Sequence, residues 1–262
     1  MDATINGARI HYERSGTGLP ILFIHSALAD SRMWTPQAKA FANQFDMIRP
    51  DVRGFGQSEM PPVPYSRQAD LVGLLDHIRV TRTHVVGSSM GGTTAIDFAL
   101  EHPDRVERLV LIASGVSGSN LGEGDAALFA DVEAADKAGD MDAVNRGEVR
   151  VWIDGPGRPE GSAPKAVRDL VLEMNGQALH VDWNSAQHLS LDPPAIGRLE
   201  DIKAPTLVIV GDQDLPHCLA NADMITSRVP GARKVIIRDA AHLPSLERPE
   251  EFNRVLLDFL KQ

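Results

Sequence analysis

The chain carries a single cysteine, Cys218, among 262 residues. One thiol closes no intrachain disulfide and builds no thiolate metal cage. Basic residues are also scarce: 26 Lys and Arg face 36 Asp and Glu, a net charge of −10. That balance repels phosphate backbones and anionic bilayers unless a basic cluster overrides it, and no such cluster occurs, so neither nucleic acid nor a membrane is an expected partner. No apolar run approaches the roughly 18 residues that would span a bilayer. Met1 to Ile10 lack the basic start and apolar stretch of a secretory signal. Internal repeats, low-complexity tracts and flexible linkers are missing too. These absences lead us to expect a soluble cytoplasmic protein, with its oligomeric state open.

Apolar residues make up 43% of the chain, enough to fill a core, and 22 Gly and 17 Pro are scattered without a period. Disorder and collagen are thereby excluded. The length suits one large domain with an insertion better than two ordinary domains.

The first third alternates strands with helices. Ala3 to Ser15 reads as a polar hairpin turning at Asn6 and Gly7. Pro20 to His25 holds Ile21, Leu22, Phe23 and Ile24 without interruption, the pattern of a strand buried on both faces of a parallel sheet. Phe45 to Pro50, Thr83 to Gly87, Val106 to Ala113 and Pro205 to Gly211 repeat it. Leu71, Leu74, Leu75 and Ile78 follow helical spacing, with Ser66 placed as a cap. Such alternation predicts an α/β fold with a mostly parallel, doubly wound sheet. The rhythm breaks between about Gly115 and Arg198, where helical stretches (Asp125 to Ala138, Pro164 to Gly176) replace buried-strand runs. We therefore expect residues 1–114 and 199–262 to form one core and residues 115–198 an inserted helical lid.

After the apolar run His84, Val85, Val86 comes Gly87, Ser88, Ser89, Met90, Gly91, followed by a helical run. This is a nucleophile-elbow pattern: a strand-to-helix turn so tight that only glycine fits two places either side of its central serine. Ser89 is the expected nucleophile, with the Met90 amide beside it for an oxyanion. Ser88 fits less well, because Val86 and not glycine stands two places before it. A serine hydroxyl needs a base. Of nine histidines, His242 follows the strand Lys234 to Ile237 and precedes a helix starting near Pro249, which puts it on the same rim as Ser89. His11, His84, His102 and His180 read as surface or core side chains, whereas His25, His188 and His217 are candidates to border the pocket. The acid that orients the base is Asp212 or Asp214; Asp214 lies further into its loop and reaches across the rim.

These residues, with His25 to Leu28 and the segment Asp51, Arg53, Gly54, Gly56 and Ser58, resemble the α/β-hydrolase superfamily along nearly the whole chain. The resemblance implies Asp214 as the acid, three residues after the glycine that ends its strand. Where the family has His-Gly in its oxyanion loop, this chain has His25 and Ser26. That departure resembles the 3-oxoadipate enol-lactone hydrolase branch, and it implies Ala27 as the second oxyanion amide. His25, Ser26, Trp152 and His188 are then candidate pocket residues. For Arg53 the resemblance implies a structural salt bridge. Cys218 reads as a packed side chain, and His217 has no further metal ligands at suitable spacing.

The expected chemistry is acyl transfer to and from Ser89 on a small-molecule ester or lactone, with no cofactor and no metal. A carbon–carbon bond hydrolase using the same three residues is the enzymatic alternative, and a non-catalytic small-molecule receptor is the alternative of another class. Serine instead of aspartate at position 89 argues against haloalkane dehalogenase and epoxide hydrolase chemistry.

Overall fold

The computed structural model describes residues 1–262, apart from the side chains of residues 121–124. Its centre is an eight-stranded sheet ordered β1-β2-β4-β3-β5-β6-β7-β8. The strands are β1 (Asp2–Ile5), β2 (Ala8–Ser15), β3 (Leu19–Ile24), β4 (Phe45–Pro50), β5 (Thr83–Ser88), β6 (Val106–Ile112), β7 (Thr206–Gly211) and β8 (Arg233–Ile237). β1 pairs with β2 and β2 with β4 antiparallel, and every pairing from β4 to β8 is parallel. The amino-terminal hairpin is thus the edge of the main sheet, and its Ala3, Ile5, Ala8 and Ile10 are buried.

Alternation along the strands divides the core into two layers. Leu22 and Ile24 point to one side and Ile21 and Phe23 to the other. The first layer receives Leu71, Leu74 and Leu75 of α2 (Arg67–His77), Ala95, Ile96 and Phe98 of α3 (Met90–Glu101), and Ile225 of the helix Pro216–Arg228. The second receives Phe41 of α1 (Thr35–Phe41) and Phe252, Leu256 and Phe259 of the helix Pro249–Leu260. Each such Leu, Ile or Phe side chain stabilises the fold by about 1.5–3 kcal/mol on burial, so the apolar runs decide the layering. As its sequence suggests, Ser66 caps α2, accepting from the Ala69 amide at 3.3 Å.

Between β6 and β7 the described residues form helices and turns and no sheet strand. These helices are α4 (Ala130–Ala138), α5 (Met141–Val149) and α6 (Lys165–Ala178). The helix expected from Asp125 is regular only from Ala130, because residues 125–129 wind as 3-10 helix. A one-turn π-helix, Arg150–Asp154, follows α5 and carries Trp152. Beyond the insertion lie α7 (Pro216–Arg228), α8 (Pro244–Glu247) and α9 (Pro249–Leu260). Among the described residues no helix is long and apolar enough to cross a membrane.

The chain runs outward from β3 in both directions, to β4 on one side and β5 on the other. Loops leaving the carboxyl ends of β3 and β5 therefore diverge and leave a crevice.

Candidate active site

β5 ends at Ser88 and α3 begins at Met90, so the reversal falls on Ser89, at φ 55° and ψ −114°. Strained backbone of this kind costs about 1–3 kcal/mol and persists only where its surroundings impose it. The surroundings here are close: a Cβ on Gly87 would stand 2.2 Å from the Gly91 carbonyl oxygen, and one on Gly91 would stand 2.3 Å from that of Ile24. The Ser89 amide donates to the Ile112 oxygen at 2.8 Å, pinning the turn to β6. The Ser88 hydroxyl is buried with no partner among the described residues, whereas Ser89 lines a cavity.

His242 and Asp214 arrive from the ends of β8 and β7. Asp214 Oδ1 and Oδ2 lie 3.0 and 3.2 Å from His242 Nδ1, and both side chains are buried. A carboxylate against Nδ1 favours the tautomer with the proton there, which leaves Nε2 as the free base. Asp212 takes no part in this pair.

Three contacts that the sequence did not reveal hold the His242 loop. The Glu247 carboxylate accepts the Ala241 amide at 3.0 Å and the Leu243 amide at 3.2 Å, clasping the residues on either side of His242. Arg158 reaches the same carboxylate at 3.3 Å. Burial pushes the Glu247 carboxyl up, against the pull of these donors. The Trp152 carbonyl accepts the His242 amide at 3.2 Å. No spacing rule marks a helix-borne glutamate as the clasp of a preceding loop.

The loop after β3 carries Ser26 and Ala27 into the cavity. Neither the Ala27 nor the Met90 amide donates to a backbone acceptor among the described residues, which leaves two N–H groups for a developing oxyanion. His25 does not line the cavity, contrary to expectation. Its Nδ1 donates to the Ser26 carbonyl at 2.8 Å and its Nε2 accepts the Val52 amide at 2.8 Å. Burial lowers its pKa, and as a neutral ring it ties the β3 loop to the β4 loop. His188 also lies outside the cavity wall: its ring packs against Tyr65, and its Nε2 accepts from Arg67 Nη1 at 3.3 Å. Arg53 is buried and paired with Asp70 at 2.8 and 2.9 Å, a structural brace.

The cavity above Ser89 has a volume of about 390 Å³. One wall is Trp152 and His242, whose rings lie 4.3 Å apart; Phe55 and Trp183, 4.8 Å apart, form another. Arg67, Glu148 and Asn175 add polar groups that the sequence did not single out. Asn175 Nδ2 donates to Glu148 Oε2 at 2.7 Å, and burial raises the Glu148 carboxyl.

Behind the imidazole, Cys218 Sγ stands 3.7 Å from His242 Nδ1 and 3.3 Å from His217 Nε2. His217 Nδ1 in turn meets Asp125 at 2.6 Å. Asp214, Cys218 and His242 bring three ligand-type atoms within 4.8 Å of one another. Burial and the neighbouring Asp214 push the Cys218 thiol up.

A family model described as the alpha/beta hydrolase fold matches residues 20–249. The chain is 30% identical to a 2-hydroxy-6-oxononadienedioate/2-hydroxy-6-oxononatrienedioate hydrolase of Burkholderia vietnamiensis, over 97% of this chain and 91% of that protein. It is 26% identical to the carboxylesterase YbfK of Bacillus subtilis, over 92% of this chain and 79% of the relative. Among solved structures, the enol-lactonase from Burkholderia xenovorans superposes with a TM-score of 0.79 at 28% identity, over 100% of both chains.

Proposed function

Because the chain belongs to the α/β-hydrolase fold family, we propose that this hydrolase cleaves carboxylic esters or lactones through an acyl-enzyme on Ser89. The observation that carries the reading is the Asp214–His242 pair, 3.0 Å apart, whose imidazole lines one cavity with the elbow serine. Ser89 Oγ attacks the carbonyl carbon while His242 Nε2 takes its proton. The Ala27 and Met90 amides receive the oxyanion. The carbon–oxygen bond to the leaving group then breaks, and His242 returns the proton to the departing alcohol; in a lactone that alcohol stays tethered. Water, deprotonated by His242, attacks the acyl carbon and releases Ser89 and a carboxylic acid. Asp214 holds the imidazole and stabilises its positive charge. The net charge of −10 supports a small-molecule substrate over nucleic acid or a membrane.

A second reading, hydrolysis of a carbon–carbon bond in a vinylogous diketone, is favoured by the 30% identity to the Burkholderia vietnamiensis hydrolase. Incubation with short p-nitrophenyl esters, an enol-lactone and a vinylogous diketone, with product analysis by mass spectrometry, separates the two. The first reading requires ester or lactone turnover, and an acyl adduct on the Ser89 peptide after rapid quenching. Turnover of the diketone alone would replace it with the second. A chain that binds these compounds and cleaves none is a receptor.

A further inference from the structure

A backbone carbonyl accepts hydrogen bonds and never donates them, so it fixes the sense of any side-chain amide network that ends on it. One such network lies in the cavity wall where α5 meets α6. Asn145 Nδ2 donates to the Leu172 carbonyl at 2.8 Å, which leaves Asn145 Oδ1 to face Asn175. Asn175 Nδ2 then spends both of its protons, one on Asn145 Oδ1 at 3.0 Å and one on Glu148 Oε2 at 2.7 Å. Asn175 and Glu148 line the cavity that Ser89 opens into. What they still offer it is two acceptors, Asn175 Oδ1 and Glu148 Oε1, neither of which takes a hydrogen bond among the described residues.

Glu148 also lacks a counter-charge. Three buried acids of this fold have one: Asp70 pairs with Arg53, Asp154 with Arg168 and Glu247 with Arg158. Glu148, half-buried, forms no ion pair among the described residues, and the charge acting on it through space is that of Asp136, of its own sign. Burial, and Asp136 after it, push its carboxyl up. Arg67 lines the same cavity but interacts with Tyr65, His188 and Asp97 instead.

From this arrangement we infer that Glu148 and Asn175 form a subsite for a protonated amine, and that the substrate is an ester or lactone carrying an ammonium group away from the reacting carbonyl. The inference rests on the acyl-transfer reading of the same cavity. An ammonium brings only donors and a positive charge, the two things this wall lacks, and its bonds to a carboxylate are charge-assisted. A hydroxyl would fill an acceptor and leave the charge unmatched. Met90, Ala178 and Leu179 line the cavity as well, so an apolar spacer joins the amine to the ester. Arg67 repels a cation from the α2 side and leaves the α5–α6 side as its seat. Glu148 touches the far end of the substrate and not the reacting carbonyl, which makes it a specificity residue.

The test uses the p-nitrophenyl esters of 6-aminohexanoate, 6-hydroxyhexanoate and heptanoate, which are equal in length and differ at the terminal group. Glu148→Gln lowers the ammonium-to-heptanoate ratio of kcat/KM by about 10- to 100-fold and moves the hydroxyl-to-heptanoate ratio by no more than a few-fold. Glu148→Asp, which keeps the charge on a shorter arm, falls between. An equal ammonium ratio in wild type and in folded Glu148→Gln overturns the inference. So does a hydroxyl ratio that falls as far as the ammonium ratio, since the subsite then reads a neutral donor. If Glu148→Gln does not fold, Glu148→Asp carries the test, and an unreduced ammonium ratio in that variant overturns it. Calorimetric binding of methyl 6-aminohexanoate to Ser89→Ala, with and without Glu148→Gln, separates this inference from the reading beneath it. Binding weakened about 10-fold or more by the second substitution, in an enzyme that cleaves none of these esters, leaves the subsite standing and removes acyl transfer. Ester cleavage with binding indifferent to Glu148 does the reverse.

Discussion

Trp152 touches His242 twice: its carbonyl accepts the His242 amide at 3.2 Å, and its indole tilts over the imidazole with ring centroids 4.3 Å apart. Position and electronics are therefore linked through one residue of the insertion. The backbone contact sets the height of the loop, and the ring offers a π-face to the charge that appears when the base takes a proton.

Trp152→Ala keeps the backbone contact and removes the ring. A cation–π contribution of about 0.5–2 kcal/mol corresponds to a loss of roughly 2- to 30-fold in kcat. Trp152→Phe retains most of the rate. Steady-state kinetics on one ester with all three proteins reads this, and a kcat unchanged in Trp152→Ala denies the ring any part in catalysis.

Ser89→Ala is expected to lower turnover by on the order of 10⁴- to 10⁶-fold. Ser88→Ala removes a hydroxyl that is buried without a partner among the described residues, and its rate stays within a few-fold of wild type. Equal losses in the two variants would contradict the assignment of the nucleophile.

Glu247→Ala leaves the Ala241 and Leu243 amides without their shared acceptor. Each orphaned buried group costs about 1–3 kcal/mol, so the denaturation midpoint drops, and kcat falls because the His242 loop loses its clasp. Denaturant melts and kinetics on the same preparations check both. A variant as stable and active as wild type would show that the loop holds itself.

His84 supplies a pH prediction. Burial holds it down to about 4, against an ordinary value of 6.5, and neither ring nitrogen has a partner among the described residues. Between those values the unfolded chain binds a proton that the folded chain refuses, so stability falls as the pH falls from about 6.5 to about 4. Asp97 works in the opposite direction. Raised by burial to about 6 from 3.8, it is protonated in the folded chain where the unfolded chain is ionised, so its contribution is lost as the pH rises through that window. His84→Leu removes the first effect alone. The drop in Tm between pH 7 and pH 5 becomes smaller in this variant than in wild type; an identical drop removes His84 from the acid limb.

Much of the fold was legible because its signals are local. A run such as Ile21 to Ile24 has both faces apolar and suits only a strand covered on both sides, and Gly87 and Gly91 flank Ser89 because backbone atoms leave no room for a Cβ. Those are constraints between residues a few places apart. The cavity was less legible. His25, in the oxyanion loop, and His188, in the insertion, are expected from the sequence to border the pocket, but each ring turns to a partner elsewhere, His25 to Val52 and His188 to Tyr65 and Arg67. Trp183, Glu148 and Arg67 reach the cavity from three separate elements, and nothing in their own neighbourhoods marks them.

The sequence by itself determined the buried strands, the tight turn at Ser89 and the placement of Ser89, Asp214 and His242 at strand ends, since hydrophobic periodicity and backbone sterics act over short spans. Only the tertiary structure decided what surrounds the serine. A cavity wall is made where helices distant in the chain meet, and which polar groups face it depends on how the packing turns each side chain.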